Sequence, residues 1–402
     1  MFKHEREERI VLLQKLFQKL DHYFDDMVEI RRYLHMHPEL SFEEYETAKY
    51  IANFYKKLNV EVRENVGGNG VVATIKGAKP GKTVALRADF DALPIQEEND
   101  VPYQSTVPGI MHACGHDAHT ATLLILAKAL NEMKEELSGQ YVMIHQHAEE
   151  IAPGGAISMI EDHCLDGVDV IFGTHLWATM PYKTIQYRKG PMMAAADRFE
   201  IEIKGYGGHG AQPHKTKDAI VIASQLVVNL QQIVSRKVDP IHSAVVSIGS
   251  FVAENAFNII ADTAKLSGTV RTFHESTRTL IEEEIGKIVK GTCLASGCDY
   301  TYSYNRGYPA VVNHEEETDF LVDNAKLVPE NEQVIEMVPE MSGEDFAYYL
   351  QHVKGAFFFT GAMPDGVEKP YPHHHPRFNI NEKAMLSAAK TMGAAAINYQ
   401  SK

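Results

Sequence analysis

Cysteine is scarce: four residues in 402, at Cys114, Cys164, Cys293 and Cys298. So few and so scattered, they make no disulfide framework in a chain of this length. Long apolar runs are missing as well, and none approaches the roughly 18 residues of a membrane-spanning helix. The opening segment MFKHEREERIVLLQKLFQKL is charged throughout and has no uninterrupted apolar stretch or small-residue cleavage site. A secretory leader is therefore not expected, and a reduced, cytoplasmic setting is. Positive charge is in deficit: 39 Lys and Arg against 54 Asp and Glu leave a net −15. A nucleic-acid partner needs a basic face, so that class is disfavoured. An anionic small molecule is not excluded, because one Arg or one metal ion can dominate a single pocket.

Hydrophobic residues, at 44%, are enough for a large core, and histidine is abundant at 20 residues. Histidine is the commonest metal ligand and a frequent acid–base group. Helical spacing over 1–35, with Val11, Leu12, Phe17 and Leu20, predicts a helical run ended by Pro38. A helix over about 42–58 follows, then strands at 70–75, 83–88 and 141–146, with an Ala/Leu-rich helix over 117–137 before the last of these. A further strand is predicted at 168–174. Strands alternating with helices imply an α/β fold with a mostly parallel sheet.

The pattern changes near Lys189-Gly190-Pro191. Strand 198–204, helix 218–235, strands 244–251 and 262–272, helix 276–295 and strand 299–305 give a β-α-β-β-α-β order. That order suits an inserted two-layer α+β, ferredoxin-like domain of about 110 residues. The expected division is 1–188 and 306–402 for the larger domain and 189–305 for the insert. Elements near 315–327, 344–351, 355–360 and 382–398 complete the larger one.

The most specific segment is Met111-His-Ala-Cys-Gly-His-Asp-Ala-His119. Cys114 and His116 stand two apart at a strand-to-helix turn, where a thiolate and an imidazole can face one ion and Gly115 permits the bend. Taken alone, the segment reads more readily as a capping turn with a buried cysteine. In Gln146-His-Ala-Glu-Glu150 an acid pair follows directly on an apolar strand. Adjacent carboxylates there need solvent or cations, and one can ligate while the other serves as base. An isolated Glu-Glu pair is more often a solvated surface pair. His175 ends another apolar run, and Asp89 and Asp91 end a third. Sites in parallel α/β sheets collect at the carboxyl ends of strands, so this convergence exceeds what packing explains. The loop Pro372-His-His-His-Pro-Arg-Phe378 supplies a late candidate ligand.

These segments, with Arg32-Tyr-Leu-His-Met-His-Pro-Glu39, Leu86–Pro94, Gly207-Gly-His-Gly-Ala-Gln-Pro-His214, Gly268-Thr-Val-Arg-Thr272 and Met341-Ser-Gly-Glu-Asp-Phe346, resemble the M20 metallopeptidase family. The similarity is to its amidohydrolase branch, which acts on N-acyl amino acids, hippurate and auxin conjugates. The resemblance implies a zinc-exopeptidase-like catalytic domain holding two divalent ions (Zn, Mn, Co or Ni) and a lid domain through which chains form homodimers or homotetramers. By motif, Cys114 matches the shared thiolate. His116, Glu150, His175 and His374 match the other ligands, with Pro376 and Phe378 fixing the register of His374. Glu149 matches the general base and Asp91 the acid that orients a ligating histidine. His209 matches a residue reaching the substrate carbonyl, and Asn258 and Arg271 match residues holding the substrate carboxylate.

The implied reaction is hydrolysis of an N-acyl amino acid, with Glu149 taking a proton from a water acidified by the ions. A metallo-dipeptidase or aminopeptidase of the same fold is the alternative. Two positions depart from the family pattern, His147 and Ala261, each replacing a usual Pro, and the N-terminal helix is longer than typical. Of the candidate aromatic residues Trp177, Tyr206, Phe273 and Phe346, most are expected in the core.

Overall fold

The computed structural model describes residues 2–402, apart from the side chains of residues 2–6, which include His4. The chain divides into two compact units. One comprises Met1–Gly190, Val312–Val338 and Asp345–Lys402, and the other Pro191–Val311 with Pro339–Glu344.

In the first unit the N-terminal run forms two helices, α1 (Phe2–His22) and α2 (Phe24–Met36), broken at Tyr23, where a single run was expected. The break lets two apolar faces turn inward separately: Leu13, Leu16 and Leu20 from α1, and Met27, Ile30 and Leu34 from α2. Helix α3 (Tyr45–Lys57) follows. Six strands come next in chain order: β1 (Glu61–Val66), β2 (Gly70–Lys76), β3 (Lys79–Asp89), β4 (Ser138–Gln146), β5 (Val170–Trp177) and β6 (Thr184–Tyr187). With Gln333–Glu336 and Gly355–Gly361 they make one eight-stranded sheet. Strands β4, β3 and β5 lie side by side and parallel, and Gly355–Gly361 continues parallel to β5. Antiparallel pairing is confined to β1/β2, β2/β4 and β6 against Gly355–Gly361.

Helix α4 (His116–Met133) is buried on nearly every face. That explains its Ala/Leu composition without helical amphipathicity, since it packs between the sheet and the helices α1, α2 and Ala384–Tyr399. It stops at Met133, four residues before the predicted end. No helix among the described residues is long and apolar enough to cross a membrane.

The second unit is a four-stranded antiparallel sheet carrying two helices, Ala219–Arg236 and Glu275–Ser296. Spatially the strands run Ala244–Val252, Thr263–Thr272, Ala195–Lys204, Asp299–Asn305. In Ala195–Lys204, Phe199, Ile201 and Ile203 are buried with Leu226, Leu230, Ile281 and Ile285 of the helices, while Arg198 and Glu200 are exposed. A strict alternation of this kind is what a sheet with one covered face requires.

Candidate metal centre

Because β4, β3 and β5 are parallel neighbours, their carboxyl ends deliver side chains to one place. Asp91 follows β3, Glu149 and Glu150 follow β4, and His175 lies near the end of β5. Gly115 sits at the N-cap of α4 with φ +95°, a left-handed conformation that glycine adopts without Cβ strain. The bend turns Cys114 and His116 to the same side. Ala148, at φ +52°, makes a second unusual turn just before Glu149. Its N–H is held by the buried carboxylate of Glu44 at 2.8 Å.

Two groups of donor atoms result, and they share the Cys114 sulfur. In one, Cys114, His116 and Glu150 present atoms within 4.8 Å of one another. His116 Nε2 is 3.9 Å from Glu150 Oε1, and His374 Nε2 is 3.3 Å from that same oxygen. In the other, Cys114 Sγ is 3.3 Å from His175 Nε2. Ligands of a single tetrahedral ion with bonds of 2.0–2.3 Å stand about 3.4 Å apart, so this spacing suits ions.

The histidine protons are settled by their partners. His116 Nδ1 is 3.0 Å from both the main-chain oxygen and Oδ1 of Asp91, so Nδ1 donates and Nε2 is the nitrogen that can offer a lone pair to an ion. His175 Nδ1 donates to the Leu176 carbonyl at 3.0 Å, with the same consequence. The buried atoms His116 Nε2 and Glu150 Oε1 have no hydrogen-bond partner. Such orphaned atoms are costly unless a ligand serves them, and both are good donors to a divalent ion.

The electrostatics agree. Burial disfavours a charged His116, yet the carboxylates of Asp89, Asp91 and Glu150 push it up to about 10, so the pocket draws positive charge, a proton on Nε2 where no ion is bound and an ion in its place where one is. Burial, then Glu150, Glu149 and Asp89, hold the Cys114 thiol well above its usual value. A thiolate at that position therefore requires a cation beside it. A free nucleophilic cysteine would need the opposite environment.

Asp91 does more than orient His116. Its Oδ2 accepts from Ser41 Oγ at 2.7 Å and from the Glu150 main-chain N at 2.9 Å, tying His116 and Glu150 to one buried carboxylate. A third trio, Asp89, His116 and His119, is equally close but reads as structure. Asp89 is bound by Arg87 at 2.6 Å and by His119 Nδ1 at 2.6 Å, and His119 Nε2 accepts the Leu176 N–H at 2.9 Å. Neither His119 nitrogen is left for an ion. Arg87 also binds Asp345, which accepts from Gln146. Sequence reasoning gave no role to Arg87, His119, Gln146 or Asp345. Their signal was a charged residue inside an apolar strand and an acid in Ser342-Gly-Glu-Asp345, and 258 residues separate Arg87 from Asp345.

The remaining candidates, and two further histidines, His214 and His375, lie as follows. His209 and Asn258 belong to the second unit and adjoin one another, since His209 pairs with Ile259 and Gly210 N donates to the Asn258 carbonyl. Both are exposed. Arg271 is half-buried on Thr263–Thr272, with Nη1 on Thr269 Oγ1 at 2.7 Å. His147 faces Phe42 and the Gly68 turn. His375 stacks on Tyr371, and His214 is exposed. Phe346 and Phe273 are buried, Tyr206 is exposed, and Trp177 stacks on Phe359 at 4.3 Å.

Fold and centre together define a hydrolase of the metal-dependent α/β exopeptidase type. Residues 85–398 match the model of peptidase family M20/M25/M40. A Bacillus subtilis (strain 168) protein carrying an amidohydrolase name, YhaA, is 62% identical over 97% of this chain and 99% of its own. The N-acyl-L-amino acid amidohydrolase of Geobacillus stearothermophilus is 45% identical over 75% of this chain and 82% of its own. A solved Bacillus subtilis structure, described as YXEP, a dinuclear metal binding peptidase from the M20 family, superimposes with a TM-score of 0.81 at 35% identity, covering 95% and 99% of the two chains. The chain belongs to the M20 family, and it is a metal-dependent amidohydrolase acting on carbon–nitrogen amide bonds.

Proposed function

We propose that this amidohydrolase cleaves N-acyl amino acids to a free amino acid and a carboxylic acid. The observation that carries the proposal is the pair of donor groups sharing Cys114, with Glu149 buried directly beside them in sequence. Cys114, His116, Glu150, His175 and His374 would hold two divalent ions, of zinc, manganese, cobalt or nickel. Bound there, the ions supply Lewis acidity toward a water and an amide carbonyl. Glu149 takes the proton of the attacking water and returns it to the leaving amine as the carbon–nitrogen bond breaks. Asp91 keeps His116 in the tautomer that presents Nε2. The roles of His209 at the substrate carbonyl and of Asn258 and Arg271 at the substrate carboxylate are part of the proposal and are tested by separate substitution. Assembly into a homodimer or homotetramer through the second unit is part of it too.

The test is a panel of acetyl-, benzoyl- and indoleacetyl-amino acids and free dipeptides, assayed with each metal in turn. Turnover of the N-acylated compounds without turnover of the dipeptides is expected. The reverse pattern overturns the substrate class in favour of a dipeptidase.

A further inference from the structure

Hydrogen bonds sort the consecutive histidines 373–375 more sharply than spacing does. His374 turns Nε2 toward Glu150, and His375 Nδ1 accepts from Arg377 N at 3.0 Å. His373 is the third, and it lies against Cys114. Its Nε2 is 3.2 Å from the Ala178 main-chain N, and its Nδ1 is 3.7 Å from Cys114 Sγ. A main-chain N–H only donates, so Nε2 must carry the lone pair. The ring proton is then on Nδ1, aimed at the sulfur. The ring is also clamped by packing: its centroid is 4.7 Å from Trp177, 4.9 Å from Phe378 and 5.0 Å from His175.

The end of β5 uses this device twice. Leu176 N fixes His119, whose Nδ1 then donates to Asp89, and Ala178 N fixes His373. His175, between Leu176 and the sulfur, is oriented the other way, with Nδ1 on a carbonyl and Nε2 toward Cys114. Cys114 Sγ therefore faces one imidazole lone pair, fit for an ion, and one imidazole N–H, fit for the sulfur itself.

We propose that His373 is a positioning residue that donates an N–H···S hydrogen bond to the Cys114 sulfur and is not itself a metal ligand. The proposal rests on the reading of Cys114 as a thiolate ligand. Proximity alone would admit His373 as a ligand, since its Nδ1 is grouped with Cys114 and His175. Ligation through Nδ1 would move the ring proton to Nε2, head-on to the Ala178 N–H, and leave that amide without its acceptor. As a donor, His373 draws charge from the thiolate, which weakens sulfur donation and leaves the ions stronger Lewis acids. It also holds the sulfur in place between the two donor groups.

The test uses the cobalt-loaded enzyme, read by its thiolate-to-cobalt charge-transfer band and its visible ligand-field bands. His373→Leu removes the donor, and His373→Phe is a second removal that keeps an aromatic ring beside Trp177 and Phe378 if the first fails to fold. His373→Asn places an amide N–H near the Nδ1 position. Removal is expected to shift the charge-transfer band to longer wavelength, leave the ligand-field bands and the count of ions at saturation unchanged, and weaken metal binding about 10–100-fold. His373→Asn is expected to restore the band. Altered ligand-field bands or a lost ion in the removal variants would show His373 to be a ligand and overturn the proposal. An unmoved charge-transfer band would show that no hydrogen bond reaches the sulfur and overturn it too. Absence of any thiolate band in the unaltered enzyme would instead overturn Cys114 as a ligand.

Discussion

In the second unit the buried carboxylate of Asp197 accepts from Arg278 Nε at 2.9 Å, Tyr304 Oη at 2.7 Å and Gly307 N at 3.0 Å, and is also bound by Arg278 Nη2. In the first unit His116 Nε2 and Glu150 Oε1, equally inaccessible, have no hydrogen-bond partner. Among the described residues, every buried side-chain polar atom without a partner belongs to the first unit. Several of these, on Arg31, His112, Asp117 and His116, cluster where α2 meets the start of α4. Asp197 is answered by the fold alone. Groups left unanswered at the carboxyl ends of three parallel strands are kept for something that binds there.

That contrast can be broken from either side. The largest effect is expected for His116→Ala, which removes a proposed ligand and its bond to Asp91. Activity should fall at least about 10³-fold with loss of bound metal. Bound metal retained at the level of the unaltered enzyme would put His116 among the structural groups. Arg278→Leu should do the opposite, leaving a buried carboxylate with too few donors. About 3–5 kcal/mol of stability should be lost in urea titrations, with metal content unchanged.

His145 sharpens the same distinction within the first unit. Burial holds this histidine down to about 3, and it pairs with Tyr55 Oη at 2.7 Å. Between its unfolded value near 6.5 and about 3, the unfolded chain binds a proton that the folded chain refuses. Stability therefore falls as pH drops through that window, by about 3 kcal/mol at pH 4.5 from this residue alone. His145→Gln keeps an acceptor for Tyr55 and should flatten that part of the profile, measured by denaturant unfolding from pH 7 to 4.5. The smallest effect is expected at Asp218, which caps Ala219–Arg236 by accepting from Ile220 N and Val221 N. Asp218→Ala should cost about 1 kcal/mol in the melting curve and nothing in metal content.

The second unit was legible in the sequence because period-2 and helical runs alternate there in a β-α-β-β-α-β order, with Tyr300, Tyr302 and Tyr304 marking its last strand. The short strands Thr184–Tyr187 and Gln333–Glu336 were not, since four residues are too few to show a period. At the centre, Glu149, Glu150 and His175 stood out because they follow or end apolar strands, and Cys114 and His116 because they stand two apart at the turn into an apolar helix. Residues that act through pairing at long range did not. Glu44 reaches Ala148 N, and Ser41 reaches Asp91, from a segment with no local signal. The family resemblance set His374 in register through Pro376 and Phe378 and left His373 outside the motif, since the place of His373 depends on which ring nitrogen an amide of β5's exit occupies.

The central claim is that this cluster holds metal and that the acid beside it does the proton transfer. It is tested most directly by preparing Glu149→Gln and measuring bound metal and turnover of an N-acyl amino acid on the same sample. Metal retained at the level of the unaltered enzyme, with turnover reduced about 10²–10⁴-fold, is the predicted result. Full turnover in the variant would contradict it.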